Sequence, residues 1–135
     1  MAATQADHPN AALARRLYET LSEGDLAGYL ELLADDVVFH VGGDSIVAGE
    51  HRGKDAVVNL GVKVLEETAG TYRTDLIAVL ANDSHAVTLH HWSAERRGRR
   101  IAMNNFNVHR VENRQVVERW EFIEDRLGHD QFWAP

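Results

Sequence analysis

The second half of this chain contains strand-like segments separated by short turns, and this arrangement limits the possible folds more than any other feature. Residues 72–80, 86–94, 101–111 and 116–123 are rich in β-branched and aromatic residues and in alternating apolar positions. Turn signals separate them at Asn82-Asp83, Arg97-Gly98 and Glu112-Asn113. Because strands joined by tight turns run antiparallel, the segments predict an antiparallel meander.

The first half has helical periodicity instead. Leucines recur at every fourth position from Leu13, a second apolar stripe follows Gly24, and a third lies between Gly53 and Gly70. Residues 37–41 form a further strand-like segment. The apolar side chains expected to be buried are Leu17, Leu21, Leu30, Leu33, Val57 and Val64. Helices followed by a meander predict an α+β fold, with three N-terminal helices packed on a curved antiparallel sheet.

Composition narrows the class of protein. With 135 residues the chain is long enough for one domain, which we place at residues 10–135 behind a flexible polar tail at 1–9. No cysteine is present, and the net charge of −7 argues against nucleic-acid binding. The longest apolar run, at 76–81, is too short to cross a membrane, and the N-terminus does not read as a signal peptide. We therefore expect a cytoplasmic protein.

Several short segments together resemble the nuclear-transport-factor-2-like superfamily, in its SnoaL-like and ketosteroid-isomerase-like branch. These are RLYETLSEGDL at 16–26, LADDV at 33–37, HVGG at 40–43, GEHRG at 49–53, NVHRV at 107–111 and VERWE at 117–121. The resemblance covers roughly residues 10–134. It implies a cone-shaped half-barrel whose helices close a deep apolar pocket for a small apolar molecule, usually in a homodimer.

The hairpin turn at Arg97-Gly98 predicts which side chains share a face of the sheet. With these two residues at the tip, one face carries three cross-strand pairs. The expected pairs are Trp92 with Met103, His90 with Asn105, and Thr88 with Asn107. The resemblance implies that this face lines the pocket, so that Asn105, Trp92 and Met103 would contact a ligand. By the same resemblance, Leu17 and Val41 occupy pocket positions that hold catalytic side chains in ketosteroid isomerases.

Glu121 is the leading candidate for catalysis. Aligned through the last turn, Arg119 and Glu121 face the pocket, whereas a β-bulge in that turn would reverse the strand and direct Glu118 and Trp120 inward. The resemblance places Glu121 where SnoaL-like polyketide cyclases carry an Asp general base, and Asn107 where their partner residue lies. Alternatively, Glu121 forms a structural ion pair with Arg119 or Arg110.

His90 could act as an acid or base, or could be a core histidine bonded to the backbone. The eight histidines lack the spacing of a zinc site, so we expect neither a metal nor another cofactor. The basic segment at 96–100 is expected to be a solvated hairpin tip.

The residues of the ketosteroid isomerase mechanism are replaced, with Leu17, Val41 and Asn107 at the three positions concerned, and no Arg-x-Asp pair of limonene-epoxide hydrolases is present. The sequence therefore favours a cofactor-free acid–base enzyme of isomerase, polyketide-cyclase or dehydratase type, acting on a small apolar carbonyl compound. Glu121, Asn107 and His90 would be its catalytic residues. The alternatives are a non-catalytic small-molecule-binding pocket and an interaction module that uses the outer face of the sheet.

Overall fold

The computed structural model describes residues 7–135, and residues 1–6 of the predicted N-terminal tail lie outside this range. The helices are α1 (Pro9–Ser22), α2 (Leu26–Glu31), α3 (Lys54–Glu67) and α4 (Arg126–Phe132). The strands are β1 (Leu33–Val41), β2 (Gly49–Arg52), β3 (Arg73–Ala81), β4 (His85–Arg96), β5 (Arg99–Glu112) and β6 (Gln115–Ile123).

All strands of the described chain belong to one curved, unclosed sheet in the order β2-β1-β6-β5-β4-β3. Strands β3 to β6 form the predicted antiparallel meander. Strands β1 and β6 pair in parallel, a contact that the sequence did not predict. In this pair β1, from the N-terminal half, lies along the edge of β6, the last strand of the meander.

The helices follow the predicted order, and the predicted core is largely but not wholly buried. Leu17, Leu33 and Val57 are buried as predicted. Leu30 and Val64 are half-buried at the edge of the core, and Leu21 is 55% exposed. Successive leucines four residues apart advance by about 40° around a helix. The stripe that begins at Leu13 therefore turns away from the sheet before it reaches Leu21.

Two elements were not predicted. Residues of the GEHRG segment form strand β2, which pairs with β1, and the chain ends in helix α4. Asp125 caps α4 by accepting a hydrogen bond from the backbone N–H of Gly128 at 3.0 Å. No helix in the described part of the chain is long and apolar enough to span a membrane.

Candidate functional site

Strands β4 and β5 present alternate side chains to the interior, between the sheet and the helices. The predicted hairpin register is confirmed, with Arg96 opposite Arg99 at the tip. The interior cross-strand pairs are Thr88–Asn107, His90–Asn105 and Trp92–Met103, all six of them buried. Polar and aromatic side chains therefore converge on one surface.

Strand β6 adds two charged residues to this surface. Asn107 lies opposite Glu121 and His109 lies opposite Arg119. Near the start of β6 the pairing with β5 shifts register, as in a β-bulge. The expected effect of such a bulge was wrong: Val111 pairs with Val116 before the shift, and it is the shift that brings Glu121, rather than Trp120, opposite Asn107. The side chains of Arg119 and Glu121 are 15% and 17% exposed, respectively.

The alternate residues of β6 lie on the outer face of the sheet. There the Trp120 ring stacks on the imidazole of His40 with centroids 5.4 Å apart. Nε2 of the same imidazole is 2.5 Å from the Glu118 carboxylate. Glu118 and Trp120 are thus held outside, and Arg119 and Glu121 face the interior.

Tyr18 of helix α1 is the residue that the sequence reasoning missed. Its hydroxyl is hydrogen-bonded to the Thr88 hydroxyl at 2.8 Å and to Nδ1 of His90 at 3.0 Å, and it accepts a hydrogen bond from Nδ2 of Asn107 at 3.3 Å. Burial raises the pKa of this phenol, so it stays protonated and able to donate. One signal was available, since Tyr18 follows the buried Ala14 by one helical turn.

Leu17 does not lie on this polar interior surface, although the resemblance implied that it occupies the pocket position of the first helix. Its side chain belongs to a hydrophobic cluster formed by α1, α2, α3, β1 and β6, which includes Leu33 and Val57. The neighbouring residue, rather than Leu17, reaches Asn107. Val41 and Met103 belong to a second cluster, at the other end of the sheet.

Two interior histidines are neutral at physiological pH. Burial lowers the pKa of His90 to about 4, with Glu121 opposing that shift. Burial likewise lowers the pKa of His109 to about 3, and the Arg119 cation lowers it further. Nε2 of His109 is hydrogen-bonded to the Thr88 hydroxyl at 3.1 Å. A continuous hydrogen-bonded chain therefore runs from His109 through Thr88 and Tyr18 to His90.

Glu121 is held by two donors. Nδ2 of Asn105 donates to one carboxylate oxygen at 3.0 Å, and Arg119 donates to the other at 3.4 Å. The Asn105 carbonyl in turn accepts from the backbone N–H of Glu124 at 3.1 Å. The Arg119 guanidinium lies over the Phe39 ring, 3.9 Å from its centroid. These contacts orient the carboxylate and also form the ion pair of the alternative interpretation.

Aromatic rings fill the end of the interior beyond His90. The Trp92 indole stacks on Tyr72 at 5.5 Å and on Trp133 at 6.2 Å between centroids. It makes edge contacts with His129 at 5.8 Å and with Phe132 at 6.1 Å. The last three rings come from α4 and the residue after it, so the C-terminal segment closes this end.

Arg96 fastens that segment. It is only 5% exposed and donates to the backbone carbonyls of Phe132 and Ala134, each at 2.8 Å, and to the Glu67 carboxylate at 2.8 Å. The prediction of a solvated basic tip was therefore wrong for this residue. Arg97, at the turn itself, is exposed.

A groove of about 640 Å³ runs along the outer face of the sheet. It is lined by Leu89, Asn104, Phe106 and Phe122 of that face, together with Gly42 and Arg126, and Glu121 contributes to its lining. The Glu121 carboxylate is therefore partly exposed at this groove, with 17% of its side chain accessible. Within residues 7–135, no three His, Asp or Glu side chains are grouped as ligands of a metal ion.

A cone of curved sheet with polar groups on its apolar interior is typical of small-molecule-binding proteins of the nuclear-transport-factor-2-like class. The model of the SnoaL-like domain family matches residues 14–119, and the chain belongs to that family.

Its relatives include the uncharacterized protein Rv0034 of Mycobacterium tuberculosis, 29% identical over 95% of this chain and 98% of that protein. Among solved structures, Bal32a from a soil-derived mobile gene cassette is 31% identical and superposes with a TM-score of 0.89, over 93% of this chain and 97% of the other. A proposed SnoaL-like polyketide cyclase from Jannaschia shares the fold with a TM-score of 0.74 and 13% sequence identity. The match covers 94% of this chain and 93% of the other.

Proposed function

We propose that this protein is a cofactor-free acid–base enzyme that acts on a small, mostly apolar carbonyl compound. The observation that carries the proposal is the placement of a partly exposed carboxylate, Glu121, opposite Asn107 and so on the same interior surface as the protonated phenol of Tyr18. Proton removal next to a carbonyl needs a base at the carbon and a donor at the oxygen, and these two groups supply both.

The proposed step begins with a substrate carbonyl oxygen beside Tyr18 and Asn107. Glu121 takes the proton from the adjacent carbon, the C–H electrons form a C=C bond, and the carbonyl becomes an enolate whose oxygen accepts hydrogen bonds. The protonated Glu121 then returns the proton to another carbon, which gives isomerisation. Alternatively, the enolate carbon attacks a second carbonyl and forms a C–C bond, and the alkoxide oxygen produced takes the proton from Glu121, which gives cyclisation. The Tyr18 hydroxyl has a single proton, which without a ligand is available to the Thr88 hydroxyl or to Nδ1 of His90. In the proposed step the hydroxyl turns this proton toward the substrate oxygen while it still accepts from Asn107.

Asn105 has a different role in this proposal from the one first expected. Its amide N–H already donates to Glu121 and its carbonyl already accepts from the backbone of Glu124. With both groups engaged, it positions the base rather than binding the substrate oxygen. Arg119 helps to orient the same carboxylate, and Trp92 forms an apolar wall.

A non-catalytic binding protein of the same fold is the second candidate, and one observation favours it. Glu121 forms an ion pair with Arg119 in addition to its bond with Asn105, which is the arrangement of a structural carboxylate.

For either function we propose a homodimer formed through the outer face of the sheet, where Phe106 and Phe122 are exposed.

Proton exchange at the α-carbon of a ketone distinguishes the two candidates. We would incubate the protein with 2-tetralone in D₂O and follow loss of the α-proton signals by NMR. If the protein is an enzyme, these protons should exchange faster than in buffer alone. The exchange rate with Glu121→Gln should then be about 10²–10⁴-fold lower than with the wild type. Saturable binding with exchange no faster than in buffer would contradict the enzyme and support the binding protein.

A further inference from the structure

Two buried polar atoms at the aromatic end of the interior have no role in the proposed proton transfer. They are Nε1 of Trp92 and Nδ1 of His129, and neither has a hydrogen-bond partner within the described part of the chain. Both residues are about 2% exposed. A buried polar group without a hydrogen-bond partner lowers the free energy of unfolding. Such atoms therefore mark positions where another molecule can supply the missing hydrogen bond.

These atoms belong to rings in direct contact. The indole of Trp92 and the imidazole of His129 meet edge to face, with centroids 5.8 Å apart. Trp92 belongs to strand β4 and His129 to helix α4, so the two rings meet where the sheet packs against the C-terminal helix.

The chemistry of the pair selects its ligand. An indole N–H only donates, and a neutral imidazole nitrogen either donates or accepts. Burial is the main cause that lowers the pKa of His129, with Glu121 and Asp130 opposing the shift and Arg126 adding to it, so the imidazole is neutral at pH 7. A neutral oxygen satisfies both atoms: a hydroxyl accepts from Trp92 and donates to His129, whereas a carbonyl accepts from both.

We propose that Trp92 and His129 form a second oxygen-binding subsite, which holds a hydroxyl or carbonyl oxygen of a flat, apolar ligand. The proposal rests on the proposed small-molecule site and extends it. The rings of Tyr72 and Trp133 stack on Trp92 and make the surroundings of the subsite aromatic and apolar. Along strand β4 the subsite lies about 7 Å beyond His90, so the ligand would carry oxygens near both of its ends.

Three probes that differ only in their oxygen test the subsite: naphthalene, 2-naphthol and 2-acetonaphthone. Affinities would be measured by fluorescence titration of the full chain. We expect one of the oxygen-bearing probes to bind about tenfold more tightly than naphthalene, as one or two net hydrogen bonds predict. Preference for 2-naphthol would identify a hydroxyl subsite, and preference for 2-acetonaphthone a carbonyl subsite.

Trp92→Phe and His129→Phe remove the polar atoms but keep a ring at each position. Each should abolish most of the oxygen preference, which is measured within each variant as the ratio of its affinity for the oxygen-bearing probe to its affinity for naphthalene. Trp120→Phe, which removes an indole on the outer face, should keep the preference. Because the variants could fold poorly, the wild-type protein supplies a second measurement. Its Trp92 indole N–H resonance should shift with the preferred oxygen probe and not with naphthalene.

The outcomes separate the two proposals. Equal affinity for all three probes, with an unshifted indole resonance, would mean that the pair binds a buried water only and would overturn the subsite. Persistence of the preference in both variants would also overturn it. Failure of every probe to bind at millimolar concentration would contradict both the subsite and the proposed small-molecule function.

Discussion

The hydroxyl of Tyr18 accepts a hydrogen bond from the side-chain amide of Asn107 at 3.3 Å, which joins the first helix to the fifth strand across the interior. The resemblance places Asn107 where ketosteroid isomerases hold a protonated carboxylic acid. An amide in contact with a phenol preserves the donor character of that position without a titratable proton. This relationship makes Tyr18 the central donor of the proposed site.

Tyr18→Phe should affect both stability and activity. It removes the hydroxyl shared by Thr88, His90 and Asn107, so the free energy of unfolding should fall by about 1–3 kcal/mol. If this hydroxyl stabilises an enolate, exchange of the 2-tetralone α-protons should slow by about 10²–10³-fold. Urea unfolding and NMR exchange measure the two effects. An unchanged exchange rate in the folded variant would exclude Tyr18 as the oxyanion donor.

Glu121→Gln distinguishes a base from a structural carboxylate. Gln keeps the shape of the side chain and one acceptor oxygen, so it can still accept from Asn105 but loses the long 3.4 Å contact with Arg119. Because that ion pair is partly exposed, the free energy of unfolding should fall by only about 1 kcal/mol. Glu118→Gln, on the outer face of the same strand, is the matched control and should leave exchange unchanged. A loss of about 3–5 kcal/mol in thermal unfolding of Glu121→Gln would favour the ion pair over the catalytic role.

His109 makes stability depend on pH. Its pKa is about 3 in the folded protein against an ordinary value of 6.5, so between these pH values the unfolded chain holds a proton that the folded one lacks. The free energy of unfolding therefore rises with pH across this window, by up to about 1.4 kcal/mol per pH unit, and this contribution is lost as the pH falls.

Urea unfolding of wild type and His109→Gln at about pH 7 and about pH 4.5 tests this dependence. On acidification, the free energy of unfolding of the wild type should fall by up to about 2–3 kcal/mol more than that of the variant. His91→Gln, on the outer face of strand β4, is the control and should behave as wild type does. Equal losses in wild type and His109→Gln would show that His109 does not carry the effect.

Arg96→Ala should strongly destabilise the C-terminal segment. It leaves the carbonyls of Phe132 and Ala134 without their donor and the Glu67 carboxylate without its partner. Removing one partner of a buried charged contact costs about 3–5 kcal/mol. Arg97→Ala, one residue further along at the exposed tip, should cost less than about 0.5 kcal/mol. Similar melting temperatures for the two variants would contradict the fastening role of Arg96.

Light scattering tests the proposed homodimer. The Phe106 and Phe122 rings stack at 4.7 Å on the outer face and are 40% and 46% exposed. We expect the wild type to be dimeric and Phe122→Lys to be monomeric at micromolar concentration, because a desolvated lysine is disfavoured in an apolar interface. Leu127→Lys, at an apolar residue of α4 that is still more exposed (69%), should remain dimeric. A monomeric wild type would refute the proposal.

Much of the fold could be predicted because its signals are local. The turn at Arg97-Gly98 sets the β4–β5 register directly, since each residue pair in a hairpin is counted outward from the tip. From that register alone, His90, Asn105 and Asn107 could be placed on one face. The helical stripe around Leu17 was equally readable, and it failed only at Leu21, where the four-residue repeat drifts around the helix.

What the sequence determined by itself was therefore the order of helices and strands, the meander, and the face of its central hairpin, all of which depend on spacings of a few residues. The tertiary structure decided the rest. It turned Arg119 and Glu121 inward through an irregular register, brought Tyr18 against Asn107, and placed His129 of α4 beside Trp92. These contacts join residues far apart in the chain, and their geometry is set by how the sheet curves and where the helices pack, which no local periodicity encodes.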